Sequence, residues 1–158
     1  MEKVDKILVV SRSTANCCKA VHQGIMLARA YDAKLYVVHV VHDPFNMEGW
    51  NLPVPTFHDE YKKLIAKYKK ELHEIIEKEK GKGDIEITEW VRDGDPVDEV
   101  IKIVESEAID LIILLAHEEG RMEHFLFGQS NEKILRMMPC SIMFIKYAYY
   151  TGCLDKSS

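Results

Sequence analysis

Five short stretches of strand-forming residues punctuate this chain, and helix-period segments lie between them. Lys6 to Ser11, Leu35 to Val41, Leu111 to Ala116 and Ser141 to Lys146 are continuous apolar runs. A continuous run of that length marks a strand covered on both faces. Ile85 to Val91 instead alternates, with Glu86, Thr88 and Glu89 between Ile85, Ile87 and the Trp90-Val91 pair. The intervening segments space their apolar residues by three and four. Ala20, Val21, Gly24, Ile25 and Ala28 follow the helix-starting Ser13, Thr14 and Asn16 and run to Tyr31-Asp32. A second helix is predicted over Asp59 to Lys80, stopped by Gly81 and Gly83. A third starts at Gly94-Asp95-Pro96, with Asp95 as N-cap and Pro96 in the first turn. A short fourth runs from Asn131 to Met137, ahead of Pro139. Strands that alternate with helices form a parallel sheet with right-handed crossovers and helices on both faces. The expected fold is α/β, a three-layer open parallel sheet of five strands.

At 158 residues one domain is expected over 1–158, with a core at 6–146 and a tail at 147–158. A domain of that size buries about 70% of the surface its unfolded chain exposes, so it needs no disulfide or metal staples. With 26 acidic against 21 basic residues the formal net charge is -5. Nucleic-acid backbones and anionic lipid both select basic surfaces, so neither is an expected partner. No apolar run approaches the ~20 residues that span a bilayer, and Met1 to Lys6 lacks secretory-signal features. The expected location is cytoplasmic. Cys17, Cys18, Cys140 and Cys153 have no zinc or disulfide-framework spacing, so free thiols are expected.

His42 to Phe57 breaks the pattern. Pro44, Pro53 and Pro55 deny it a regular ladder, while Phe45, Trp50 and Phe57 give it reason to dock. It reads as a long loop lying as a partial lid beside the carboxyl ends of the first two strands. In open parallel sheets ligands bind at those carboxyl ends, where the strand order reverses. The candidate site is therefore built from the segments after strands one, two and four.

Four stretches resemble the universal stress protein family: Lys6 to Val10; Leu35 to Val41 with His39-Val40-Val41; Gly94-Asp95-Pro96 with Val100-Ile101; and Gly128 to Leu135 with Pro139 to Ile142. The resemblance covers Lys6 to Lys146. It implies a Rossmann-like, adenine-nucleotide-hydrolase-like sheet in the order 3-2-1-4-5, and a homodimer pairing through the last strand, 141–146. Many members bind ATP through a glycine-rich signature after the fourth strand, whose backbone amides approach phosphate oxygens. The positions that match the family pocket here are Val10, Arg12, Val40, Leu115, Glu118, Gly128, Gln129, Ser130 and Asn131. The pattern departs from the signature at its centre. Leu115 and Glu118 stand where the first two glycines belong in an ungapped count, with Gly120 restoring one if the loop is shifted by two residues; Gln129 replaces the hydroxyl, and Arg12 replaces an aspartate. A carboxylate at Glu118 would repel a triphosphate. Arg12 and Glu118 are expected to pair across the switch point and fill the space of a nucleotide. Exchanging Leu115, Glu118 and Gln129 for the family residues would rebuild the amide cradle.

Other residues carry plainer readings. His39 and His42, three apart on or just past a strand, do not share a face and so do not share a metal. His117 and His124 belong to a solvated loop. Met122, Phe125, Leu126 and Phe127 pack beneath that loop, with a partner-binding surface as the alternative. No Ser-His-Asp set or zinc-protease motif is present, and Ser11 and Ser13 lie near the switch point without an assignable base. The resulting expectation is a non-enzymatic, homodimeric binding or regulatory module of a stress response. It would take no cofactor, hold no metal and bind an unidentified protein or small ligand. The alternative is an ATP- or AMP-binding switch with slow hydrolysis, and a third reading is a small-molecule enzyme on the same scaffold.

Overall fold

The structure is a computed structural model and describes residues 3–11, 18–41, 54–116 and 134–146. Its strands are β1 (Lys6–Ser11), β2 (Lys34–Val41), β3 (Ile87–Asp93), β4 (Leu111–Ala116) and β5 (Ser141–Lys146). All adjacent pairs are parallel, and the order is β3-β2-β1-β4-β5. The expected α/β sheet is thus present, with its reversal between β1 and β4. The helices are α1 (Cys18–Tyr31), α2 (Val54–Lys80) and α3 (Pro96–Glu107), with a helical turn at 134–137.

Two cores flank the sheet because successive strand residues face opposite ways. Ile7, Val9, Leu35, Val37 and Ile113 meet α1 and the Leu72 and Ile76 stripe of α2. Leu8, Val10, Val38, Ile112 and Leu114 meet α3 through Val97, Val100 and Val104, with Ile134 beside them. Two-sided burial is what the continuous apolar runs encode. β3 is an edge strand buried on neither side completely, which its alternating sequence reflects.

The ends of elements are fixed by polar groups. The Asp110 carboxylate accepts from the backbone N–H groups of Asp5 and Lys6, both at 2.9 Å, and so anchors the amino end of β1 to that of β4. The Asp95 side chain accepts from Val97 and Asp98 N–H at 3.0 Å and caps α3 as expected. Gly81, at φ 59°, follows α2 in a left-handed conformation open to glycine. His22 and Glu79 approach at 3.2 Å, and Arg29 donates to the Lys80 carbonyl at 2.7 Å, so α1 holds the end of α2.

Three expectations are corrected. α2 begins at Val54 rather than Asp59, so the last residues of the proline-rich loop are helical. Pro55 is tolerated there because a first-turn N–H has no intrahelical partner to lose. Of that loop, 42–53 lies outside the described residues, and so does the lid arrangement expected of it. β3 begins at Ile87 and continues to Asp93, because β2 supplies a pairing register as far as Val41↔Asp93. Cys18 is disulfide-bonded, against the expectation of free thiols. Cys140 is free, and burial with the nearby Asp110 pushes its pKa up to about 11, leaving a poor nucleophile.

Gly24 sets how closely α1 approaches the sheet. A Cβ there would collide with Val9 Cγ2 and stand 3.3 Å from Leu35 Cδ1. Val9 is fully buried and branched at Cβ, so it has little freedom to turn aside. Overpacking typically costs about 1–3 kcal/mol, against ~1 kcal/mol gained by replacing a helical glycine. Gly24→Ala is therefore expected to lower the urea midpoint without changing the slope of the transition. A raised midpoint would show that the interface has room.

Candidate functional site

The carboxyl edge of the sheet is formed by Ser11, Val41, Ala116 and Lys146, the last residues of their strands. The order reverses between β1 and β4, which places the ligand crevice of this architecture beside Ser11 and Ala116. Val10 and Val40 share the α3 face of the sheet, and both are buried near its carboxyl edge. Leu115 faces the other way. It sits inside β4, in register with Ile145, and its side chain is packed in the α1 core at 3% exposure. Arg12, Glu118, Gly128, Gln129, Ser130 and Asn131 lie outside the described residues, as do His42, His117 and His124 and the expected Arg12–Glu118 pair.

The placement of Leu115 changes what its replacement would do. Removing a buried leucine leaves a cavity, and large-to-small changes of this kind cost about 2–5 kcal/mol. Glycine adds backbone freedom within a strand. Exchanging Leu115 for the family glycine would therefore weaken the fold as well as clear the crevice.

One juxtaposition was not legible in the sequence. Ser11 and His39 are register partners across β1 and β2. Both are buried, on the α1 and α2 face. Among the described residues, Ser11 Oγ and His39 Nδ1 have no hydrogen-bond partner. The His39 ring lies against Tyr68 of α2, with centroids 4.7 Å apart. His39 is thus a buried sheet histidine, next to the serine for which the sequence offered no base. The signal was a serine closing β1 and a histidine within β2, and only the register makes them neighbours. A cavity of about 640 Å³ opens elsewhere, at the amino ends of β2 and β3. Arg29, Lys34 and Lys80 there are matched by Asp32, Asp84 and Glu86, so it selects neither sign of charge.

Burial lowers the pKa of His39, while the Ser11 backbone and the Glu71 carboxylate act in the opposite sense. The folded chain therefore holds this imidazole neutral at a pH where the unfolded chain, with a histidine pKa near ~6.5, already takes a proton. Above that value both states are neutral and His39 adds no pH dependence. As pH falls below it, stability is lost until the folded-state pKa is passed. His39→Phe keeps a ring on Tyr68 and removes the titration. Urea midpoints at about pH 7.5 and 5.5 are expected to fall further for the wild type than for this variant. Equal losses would show that His39 does not carry the acid limb.

A parallel five-stranded sheet reversing between β1 and β4, with helices on both faces, defines a Rossmann-like α/β protein whose crevice lies at the carboxyl edge. The sequence model of the universal stress protein family matches residues 3–146, and the chain belongs to that family. It is 24% identical over 146 residues to a universal stress protein of Methanocaldococcus jannaschii, covering 89% of this chain and 81% of that one. Among solved structures it is similar to the universal stress protein UspA from Lactobacillus plantarum, with a TM-score of 0.72 and 18% identity over 92% of this chain and 99% of that one. It is also similar to a universal stress protein in complex with cAMP, with a TM-score of 0.65 and 19% identity over 91% and 98% of the two chains. No described helix is long and apolar enough to cross a membrane.

Proposed function

We propose that this member of the universal stress protein family is a non-enzymatic, homodimeric binding or regulatory module of a cytoplasmic stress response, without tight ATP binding. The observation that carries the reading is the residue at 115. The amide cradle of the family's ATP binders begins with a glycine at the matching position. Here a leucine side chain is committed to the sheet core. Glu118 and Gln129 remove the second glycine and the hydroxyl, and a carboxylate at Glu118 opposes a triphosphate. The alternative is an ATP- or AMP-binding switch with slow hydrolysis. It is favoured by apolar Val10 and Val40 at the family-matching positions and by the similar protein that holds cAMP. Calorimetric titration of ATP with magnesium, together with native mass spectrometry of the purified chain, separates the two. The expected result is no retained nucleotide and a Kd weaker than ~100 µM. Retained nucleotide, or a low-micromolar Kd, would overturn the reading in favour of the switch.

The dimer rests on β5. It is an edge strand, with a partner only on its β4 side among the described residues. Met143 and Phe144 lie exposed on it, and Leu135 and Met137 of the preceding helical turn are exposed as well. An edge with free backbone groups and apolar side chains is a template for pairing with a second copy. Light scattering at tens of micromolar, on the order of a weak pair's Kd, is expected to give twice the chain mass. Met143→Lys with Phe144→Lys should return it to one. A wild-type monomer would remove the dimer from the reading.

A further inference from the structure

We infer that His73, Glu77 and Glu89 form a surface binding site for a divalent transition-metal ion of the zinc type. His73 and Glu77 are one turn apart on α2, and Glu89 comes from β3, the edge strand that α2 covers. One donor atom from each lies within 4.8 Å of the others. His73 Nδ1 already stands 2.9 Å from Glu89 Oε1 and 3.2 Å from its Oε2. Leu72 and Ile76, each the immediate predecessor of a proposed ligand, are buried in the α1 core. They hold the α2 backbone against the sheet, so the donor set does not depend on loop placement.

A second observation concerns Glu89 itself. Its strand neighbours on the same face, Ile87 and Val91, pack against the α1 core. The alternation calls for a third apolar residue between them, and a carboxylate stands there instead. Its side chain is 27% exposed, against 59% for His73. A half-shielded carboxylate on a helix-covered face is costly unless a cation or donor meets it. The cluster is not acidic alone: it offers one imidazole nitrogen and carboxylate oxygens. That mixed set suits zinc, whose sites take His and Asp or Glu with water in the remaining position. Magnesium and calcium favour sites built wholly of oxygen. Bound there, the ion would clamp α2 to the free edge of β3, at the sheet margin opposite β5.

Titration of the 158-residue chain with zinc chloride alone is expected to show one ion bound per chain, with no comparable uptake of magnesium. His73→Gln and Glu89→Gln should each weaken binding by roughly tenfold or more. Zinc should raise the melting temperature of the wild type but of neither variant. His73 is largely exposed, so its variant is expected to fold, and circular dichroism checks this. Cobalt(II) in place of zinc reports the donors by its absorption. A nitrogen and oxygen spectrum is expected, and a thiolate charge-transfer band would assign the ion to the cysteines and overturn the site. Absence of zinc uptake, or unchanged affinity in either folded variant, would overturn it equally and leave His73 and Glu89 as a plain ion pair.

Discussion

Everything in this molecule depends on β1 being buried from both sides. Ile7, Leu8 and Val9 are fully buried, two of them beneath α1 and one beneath α3. β1 is the central strand, flanked by β2 and β4, and its crossovers diverge to either side. The divergence opens the crevice at the carboxyl edge. At the amino edge Asp110 closes the same strand pair by accepting from two backbone N–H groups of the β1 start. The amino end of the central pair is therefore tied by a side chain.

The family's ATP signature belongs to the carboxyl end, and this chain departs from it at Leu115, Glu118, Gln129 and Arg12. Leucine at 115 faces the α1 core, where it packs with Ile145 and Val9. It adds buried apolar area to a layer that α1 already approaches closely at Gly24. A glycine at 115 would trade that area for backbone access. Packing and phosphate approach thus compete for a single Cβ, and the Leu115 side chain is packed. Ser11 and His39 lie on the same face, and among the described residues Ser11 Oγ and His39 Nδ1 have no hydrogen-bond partner.

The strands were readable because two-sided burial writes itself as a continuous apolar run, and the α3 start because Asp95-Pro96 is a local motif with a local partner. The start of α2 was not readable. Prolines argue against a helix interior, but Pro55 occupies a first turn, and only the packing of the element shows where that turn lies. Of the candidate positions, Val10 lies on β1 and Val40 on β2, as the apolar runs there imply. That Leu115 turns away from them, into the opposite core, required the phase of β4.

Sequence alone determined the element order, the parallel α/β class, the two-sided core and the family whose motifs the chain carries, because each is written in residue periodicity or short contiguous patterns. Tertiary structure alone decided which residues meet across elements. Ser11 beside His39, Gly24 against Val9, and His73 beside Glu89 each join positions from separate strands or helices. Their adjacency follows from strand register and helix seating, which are set by the packing of whole elements and leave no local mark in the chain.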